Sequence, residues 1–205
     1  MLDKALALFL ERGYENVSLN DLLATESTSK GAFYHYFPSK EAALFGGDPD
    51  RAADLRERVA NGAPGKSALD ALRVVLAQDS EAMADELRSL GGDPADWLRR
   101  MKMARTDPHV RAASAAQMAM IERAIAEGLA ARLGADQETD PYPGVLAAAA
   151  VGVVRACLTF WAGNGGTVSL GQLIDQAFGA LAAGLPENSP LRRIPASSTD
   201  RKDIL

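Results

Sequence analysis

The run Ser27–Lys40, STSKGAFYHYFPSK, gathers hydroxyls, Lys30, Lys40, His35, Tyr34 and Tyr36 without a single carboxylate. In a chain of formal net charge −5, an acid-free stretch of donors is what a phosphate backbone selects. Carboxylates are repelled, while hydroxyls, ammonium groups and helix N-terminal amides are attracted. The same letters carry a second chemistry. Ser27 and Lys30 stand in S-x-x-K spacing, where a lysine can help activate a serine. The S-D-N and K-T-G motifs that accompany it are absent from the sequence, and a helix cap followed by a polar helix explains both residues.

Other candidate chemistry is thinner. The loop Gly163–Thr167, GNGGT, resembles a phosphate cradle, but no lysine follows and no strand precedes it, so a helix–helix connection is expected. His35 and His109 fall in different parts of the chain and are not expected to pair on a metal. Cys157 is the sole cysteine; it excludes an internal disulfide and a multi-cysteine zinc site and reads as a small core residue, with a redox sensor as the rival. No catalytic residue, metal or cofactor is expected.

The 205 residues, 47% hydrophobic and 24% charged, suffice for a globular core without covalent staples. The net charge argues against bulk coating of nucleic acid but not against a local DNA-facing surface. No signal peptide is expected at the N-terminus, because Glu11 and Arg12 break the apolar start. Val145–Gly163 is weakly polar, but it carries Arg155 and is rich in alanine. A buried helix is expected there rather than a membrane span, which needs about 20 strongly apolar residues.

Alanine and leucine dominate and no sustained two-residue alternation occurs, so the fold is read as all-α. Expected helices are Leu2–Arg12, Leu19–Thr25, Lys30–Tyr36, Lys40 to near Gly46, Pro49–Ala60, Lys66–Leu90, Pro94–Ala104, Pro108–Leu133, Tyr142–Ala162 and Leu170–Gly184. Glycine stops and Asp-Pro starts punctuate them. Ser18 with Asp21 forms a capping-box-like start. The first helices are too short to stand alone in water. Residues 1–45 are therefore read as a small three-helix unit, 46–185 as a larger helical domain and 186–205 as a disordered tail. Leu6, Phe9 and Leu10, then Leu19, Leu22 and Leu23, then Phe33 and Phe37 supply the small core. Lys30, Gly31, Tyr34, His35 and Lys40 face outward from the third helix and its end. Two short helices around a turn of about four residues make a helix-turn-helix.

Ala5–Leu44, with ALALF…GY…VSLNDLL…SKGAFYHYFPSKEAAL, resembles the DNA-binding domain of the TetR family of transcriptional regulators. The resemblance implies a dimer of helical subunits that inserts its third helix into the major groove. It places Lys30, Gly31 and Ala32 near bases, joined by Asn20. Ser18, Tyr34, Tyr36 and Lys40 would hold phosphates, Ser29 would cap the recognition helix, and His35 would touch either. Two departures stand out. Ser27 and Thr28 occupy turn positions where the family has glycine and a β-branched apolar residue. Residues 1–45 carry four Lys/Arg against six Asp/Glu, which predicts modest, strongly salt-dependent affinity.

For the larger domain the resemblance implies pairing of two copies through Val145–Ala162 and Leu170–Gly184, with Leu146, Val153, Cys157, Leu173, Ala177 and Leu181 as interface positions. It implies a small-molecule pocket among the middle helices, for which Trp97, Met101, Met118, Ile121, Phe160 and Trp161 are the large apolar candidates. The basic stretch holding Arg99, Arg100, Lys102 and Arg105 is similar to that of actinobacterial members, some of which answer to acyl-CoA thioesters. The expected function is a cytoplasmic, ligand-released repressor on a palindromic operator. The rival is a helical protein-interaction module without a switch, which a solid core would favour.

Overall fold

A computed structural model describes residues 2–26, 28–37, 39–40, 42–45 and 49–186. Ser27 and all but the first residue of the expected tail lie outside the described residues, as does the side chain of Tyr36. The described residues form α1 (Leu2–Arg12), a 3-10 turn (Tyr14–Asn16), α2 (Leu19–Glu26), α3 (Lys30–Tyr36), α4 (Ala42–Phe45), α5 (Pro49–Asn61), α6 (Ala68–Ser89), α7 (Asp96–Thr106), α8 (Pro108–Leu133), α9 (Tyr142–Gly163) and α10 (Leu170–Ala182). They contain no strand, and the all-α expectation holds.

Two cores organise these helices. The small one joins Ala5, Leu6, Leu8 and Phe9 of α1 to Tyr14, Val17, Leu22, Phe33, Phe37, Ala43 and Leu44. The buried stripe of α1 is centred on Ala5 and Phe9, so Leu10 falls at its rim and is 48% exposed, contrary to the expectation for it. Gly13 takes a left-handed φ of 79° after α1, which lets the chain turn at once into the 3-10 turn. The small core also takes in Val110 of α8, fully buried, with Met103 and Ala104 of α7 packed against it. The small core is thus sealed by residues of α7 and α8.

The large core lies between α5, α6, α8, α9 and α10, with Leu72, Ile125, Leu129, Leu170, Ile174 and Phe178 fully buried. Gly128 sits where α8 meets α5. A Cβ there would come within 2.6 Å of the Arg56 carbonyl oxygen and 2.9 Å of the Val59 Cβ, so only glycine admits this approach. By length and composition α9 alone among the described helices could cross a membrane. Here it packs on α7, α8 and α10, and carries Arg155.

Several boundaries move for identifiable reasons. Ser67 accepts a hydrogen bond from the Asp70 amide, so α6 starts at Ala68 rather than Lys66. The Asp93 carboxylate accepts from the Ala95 amide, which leaves Pro94 in a turn and delays α7 to Asp96. The expected interface positions Leu146, Cys157, Leu173 and Ala177 are all buried in the chain's own large core. They leave little surface for a second copy. The exposed residues of α9 include Val145, Ala148 and Ala156, while Arg155 and Thr159, also exposed, are turned toward α7.

Candidate nucleic-acid interface and adjoining cleft

Helix α3 has seven residues and no acidic one in its first turn. Ser29 caps it, its hydroxyl accepting from the Ala32 amide at 3.1 Å. Phe33, 1% exposed, packs its ring 5.4 Å from that of Phe37 and pins the helix to the small core. Lys30, Gly31, Ala32, Tyr34 and His35 are left exposed on one continuous surface. The Lys30 ammonium lies 6.0 Å from the centre of the Tyr34 ring. A Cβ on Gly31 would meet nothing within 4 Å. Its small size therefore serves no packing need inside the chain.

At the start of α2 the capping box is complete. The Ser18 amide donates to the Asp21 carboxylate at 2.8 Å, and the Asp21 amide donates to the Ser18 hydroxyl at 3.2 Å. The Ser18 hydroxyl also donates to that carboxylate. The side-chain and backbone hydrogen bonds from Ser18 hold the Asp21 carboxyl below its ordinary value. Ser18 and Asn20 are exposed, but the Ser18 hydroxyl is engaged in the cap.

Lys40 departs most from the expected surface. Its Nζ donates to the carbonyl oxygens of Tyr14 at 3.2 Å and Val17 at 2.9 Å, and stands 3.8 Å from the centre of the Tyr14 ring. Burial lowers its pKa, opposed by the nearby Glu15 and Asp107 carboxylates. Lys40 is a strut between the segment joining α3 to α4 and the 3-10 turn, with its charge turned inward.

A cleft of about 400 Å3 runs along α8 toward α7 and α9. Its walls include Trp97, Met101 and Met118 together with Arg111, Glu122 and Arg155. Three of the six expected pocket residues are thus brought together. Trp161 is not among them. It is 1% exposed in the large core, and its indole N–H donates to the Val168 carbonyl at 3.1 Å. Ile121 and Phe160 pack against that same core. Arg99 is engaged by Asp93 and Asp96 and does not line the cleft. Arg111 and Arg155, neither of them expected, do line it. Among the described residues neither guanidinium has an ion-pair or hydrogen-bond partner. Arg155 was detectable as the lone charge on the otherwise uncharged α9. Arg111 carried no comparable signal.

The rival sites resolve quietly. The Cys157 thiol is buried and pushed up to about 11 by that burial, so it stays a protonated, poorly reactive thiol. The Gly163–Thr167 loop joins α9 to α10, with Asn164 buried and donating to the Phe160 carbonyl. No cluster of metal-binding side chains occurs among the described residues.

A three-helix unit with an acid-free, outward-facing third helix, set on a larger helical body, is a helix-turn-helix DNA-binding protein. Comparison with known proteins sharpens the class. Residues 1–45 match the family of bacterial regulatory proteins of the tetR type, and residues 68–186 match the MftR C-terminal domain. The chain belongs to the TetR family of DNA-binding transcriptional regulators, which are transcription factors and not enzymes.

It is 27% identical over 184 residues to the putative mycofactocin biosynthesis transcriptional regulator MftR of Mycobacterium tuberculosis, covering 89% of this chain and 88% of that protein. Over the N-terminal unit it is 48% identical across 44 residues to the HTH-type regulator YuxN of Bacillus subtilis, or 22% of this chain and 15% of YuxN. It is 45% identical across 47 residues to the HTH-type transcriptional repressor DhaR of Mycobacterium sp., covering 23% of each chain. The TetR family regulator PfmR of Thermus thermophilus superposes with a TM-score of 0.45 at 21% identity, covering 90% of this chain and 98% of PfmR.

Proposed function

We propose that this protein is a dimeric, ligand-released transcriptional repressor of the cytoplasm, whose α3 helices enter successive major grooves of a palindromic operator. The observation that carries this reading is the surface of α3. Lys30, Gly31, Ala32, Tyr34 and His35 all face outward without an acid among them, while Phe33 and Phe37 hold the helix rigidly from behind. Lys30, Gly31 and Ala32 read bases, with Asn20 beside them. Tyr34, His35, Tyr36 and the amides of the Ser29-capped helix start meet phosphates. Ser18 and Lys40 act one step back, by fixing α2 and the segment after α3.

Two copies pair through the outer faces of α9 and α10, and on α9 Val145, Ala148 and Ala156 are exposed and mostly small. The effector occupies the cleft. Two unpaired guanidinium groups beside Trp97, Met101 and Met118 suit an anion with an apolar body, a class that includes acyl-CoA thioesters. Ala104 lines the cleft and also packs against the small core. Filling the cleft therefore bears directly on the seat of the DNA-binding unit. The effector need only favour a spacing of the two α3 helices that no longer matches successive grooves. The open, charged cleft also weighs against the interaction-module reading, which a solid core would favour.

The test is selection of DNA from a random duplex pool by the purified dimer, followed by titration of the selected duplex against salt with nonspecific competitor. A two-fold symmetric sequence with half-sites about one helical turn apart is expected. Recovery of no preferred sequence by a folded dimer would end the operator reading.

A further inference from the structure

We propose that His109 is a positioning residue that sets the angle of the DNA-binding unit on α8, and with it the half-site spacing the dimer accepts. This rests on the reading of the protein as a two-half-site DNA binder. The imidazole of His109 lies 5.8 Å from the Tyr14 ring with 22° between their planes, and its Nε2 is 4.0 Å from the Glu15 carboxylate. Tyr14 is a junction. Phe9 stacks on it at 5.6 Å and 26°, and the Lys40 ammonium stands 3.8 Å from its centre. Lys40, four residues past the end of α3, ties the chain there to the Tyr14 and Val17 carbonyls. A line of ring contacts therefore runs from His109 through Tyr14 to Phe9, which shares the small core with Phe33 of the recognition helix, and Lys40 clamps Tyr14 and Phe9 from the side.

On the other side the line is held just as firmly. The Asp107 carboxylate accepts from the amides of His109 at 2.8 Å and Val110 at 3.0 Å, which fixes the first turn of α8. Val110, fully buried, anchors that turn in the small core, and Arg111 opens the cleft on the next residue. The His109 side chain is itself 66% exposed, so it fills no core and its loss leaves no cavity. What a largely exposed, near-parallel ring at a seam between two units can contribute is orientation.

The first experiment needs no DNA. Nitroxide labels at Glu11→Cys on α1 and Arg123→Cys on α8, in a Cys157→Ala background, report the angle between the units as a distance distribution. His109→Ala is expected to widen that distribution at least about twofold while the thermal midpoint stays unchanged, and His109→Phe to restore it, since a stacked ring suffices. An unchanged distribution for His109→Ala overturns the proposal.

The second compares a two-half-site duplex with one half-site alone, both from the selection above. His109→Ala is expected to lose about tenfold on the full site, the upper range for one stacked aromatic pair, to lose little on the half-site, and to tolerate spacings changed by one or two base pairs. Equal losses on both duplexes would mean that His109 only supports folding, and would overturn the proposal. Failure of the parent protein to select any DNA would instead remove the operator reading, leaving the label distances to decide whether the joint exists.

Discussion

The Lys40 ammonium is bonded to the carbonyl oxygens of Tyr14 and Val17, 26 and 23 residues earlier in the chain. A cation that the sequence pattern assigns to phosphate is spent inside the protein. Lys40→Met is therefore expected to destabilise the N-terminal unit by roughly 1–3 kcal/mol, because two carbonyls lose their donor. DNA affinity should fall on specific and nonspecific sequences, while the slope of log affinity against log salt stays put. A direct phosphate contact would instead reduce that slope by about one. Denaturant melts and salt titrations of the same variant separate the two.

Gly31 gives a cleaner test of the DNA face. A methyl group there meets no atom of the chain within 4 Å, and alanine is the better helix former by up to about 1 kcal/mol. Gly31→Ala should leave the melting temperature unchanged or slightly raised and yet lower affinity for the selected operator about tenfold or more. A variant that binds as well as the parent would show that no surface approaches Gly31 closely. Lys30→Ala should in turn alter the preferred sequence, whereas Tyr34→Phe should weaken binding to all sequences alike, as competition across a panel of duplexes would reveal.

The contrast between Gly31 and Trp161 shows what the sequence could disclose. Local rules act over one or two turns, so Ser18 with Asp21 as a box and Phe33 with Phe37 as the buried side of α3 were readable from spacing, while Ser29 as the cap of α3 followed from the family resemblance. Lys40 was not, because its partners lie across the fold. Leu146, Cys157, Leu173 and Ala177 have helical spacing that suits an interface, but the same spacing suits a core, and the packing of α9 on α10 used it for the core. Trp161 looked pocket-like beside a glycine-rich loop. Its indole N–H found the Val168 carbonyl, and Gly166 closed against its ring. The cleft's charges were the least legible, since only the crossing of α7, α8 and α9 brings Arg111 and Arg155 together.

That crossing predicts a charge preference. Arg111→Met and Arg155→Met should each weaken binding of the anionic fluorophore anilinonaphthalene sulfonate roughly tenfold, as expected for one hydrogen bond to a charged group. A neutral aromatic dye of similar size should bind the parent and both variants equally. Trp161→Phe should leave both dyes unaffected while lowering the thermal midpoint, because it thins the core and orphans a carbonyl. Fluorescence titration settles each case, and loss of the neutral dye in the arginine variants would point to a collapsed cleft instead of a lost charge.

Glu81 predicts a pH dependence of stability. Its carboxylate accepts from the Ser169 hydroxyl at 2.6 Å and the Gly171 amide at 2.7 Å, and pairs with Arg88 at 3.0 Å, so α6 caps the start of α10. Burial pushes the Glu81 carboxyl up, but the bonds from Ser169, Gly171 and Arg88 outweigh it and hold the group below its ordinary 4.5. A carboxyl lowered on folding binds fewer protons in the folded state. Its stabilisation is present above the unfolded value and is lost as pH falls through the lower, folded one. Glu81→Gln should thus cost roughly 1–2 kcal/mol at neutral pH. The gap between parent and variant should hold from pH 8 down to about 5 and close on further acidification. Urea unfolding of both proteins across that range measures the gap directly. A gap that persisted unchanged at pH 3 would mean that Glu81 contributes shape to this junction and its charge contributes nothing.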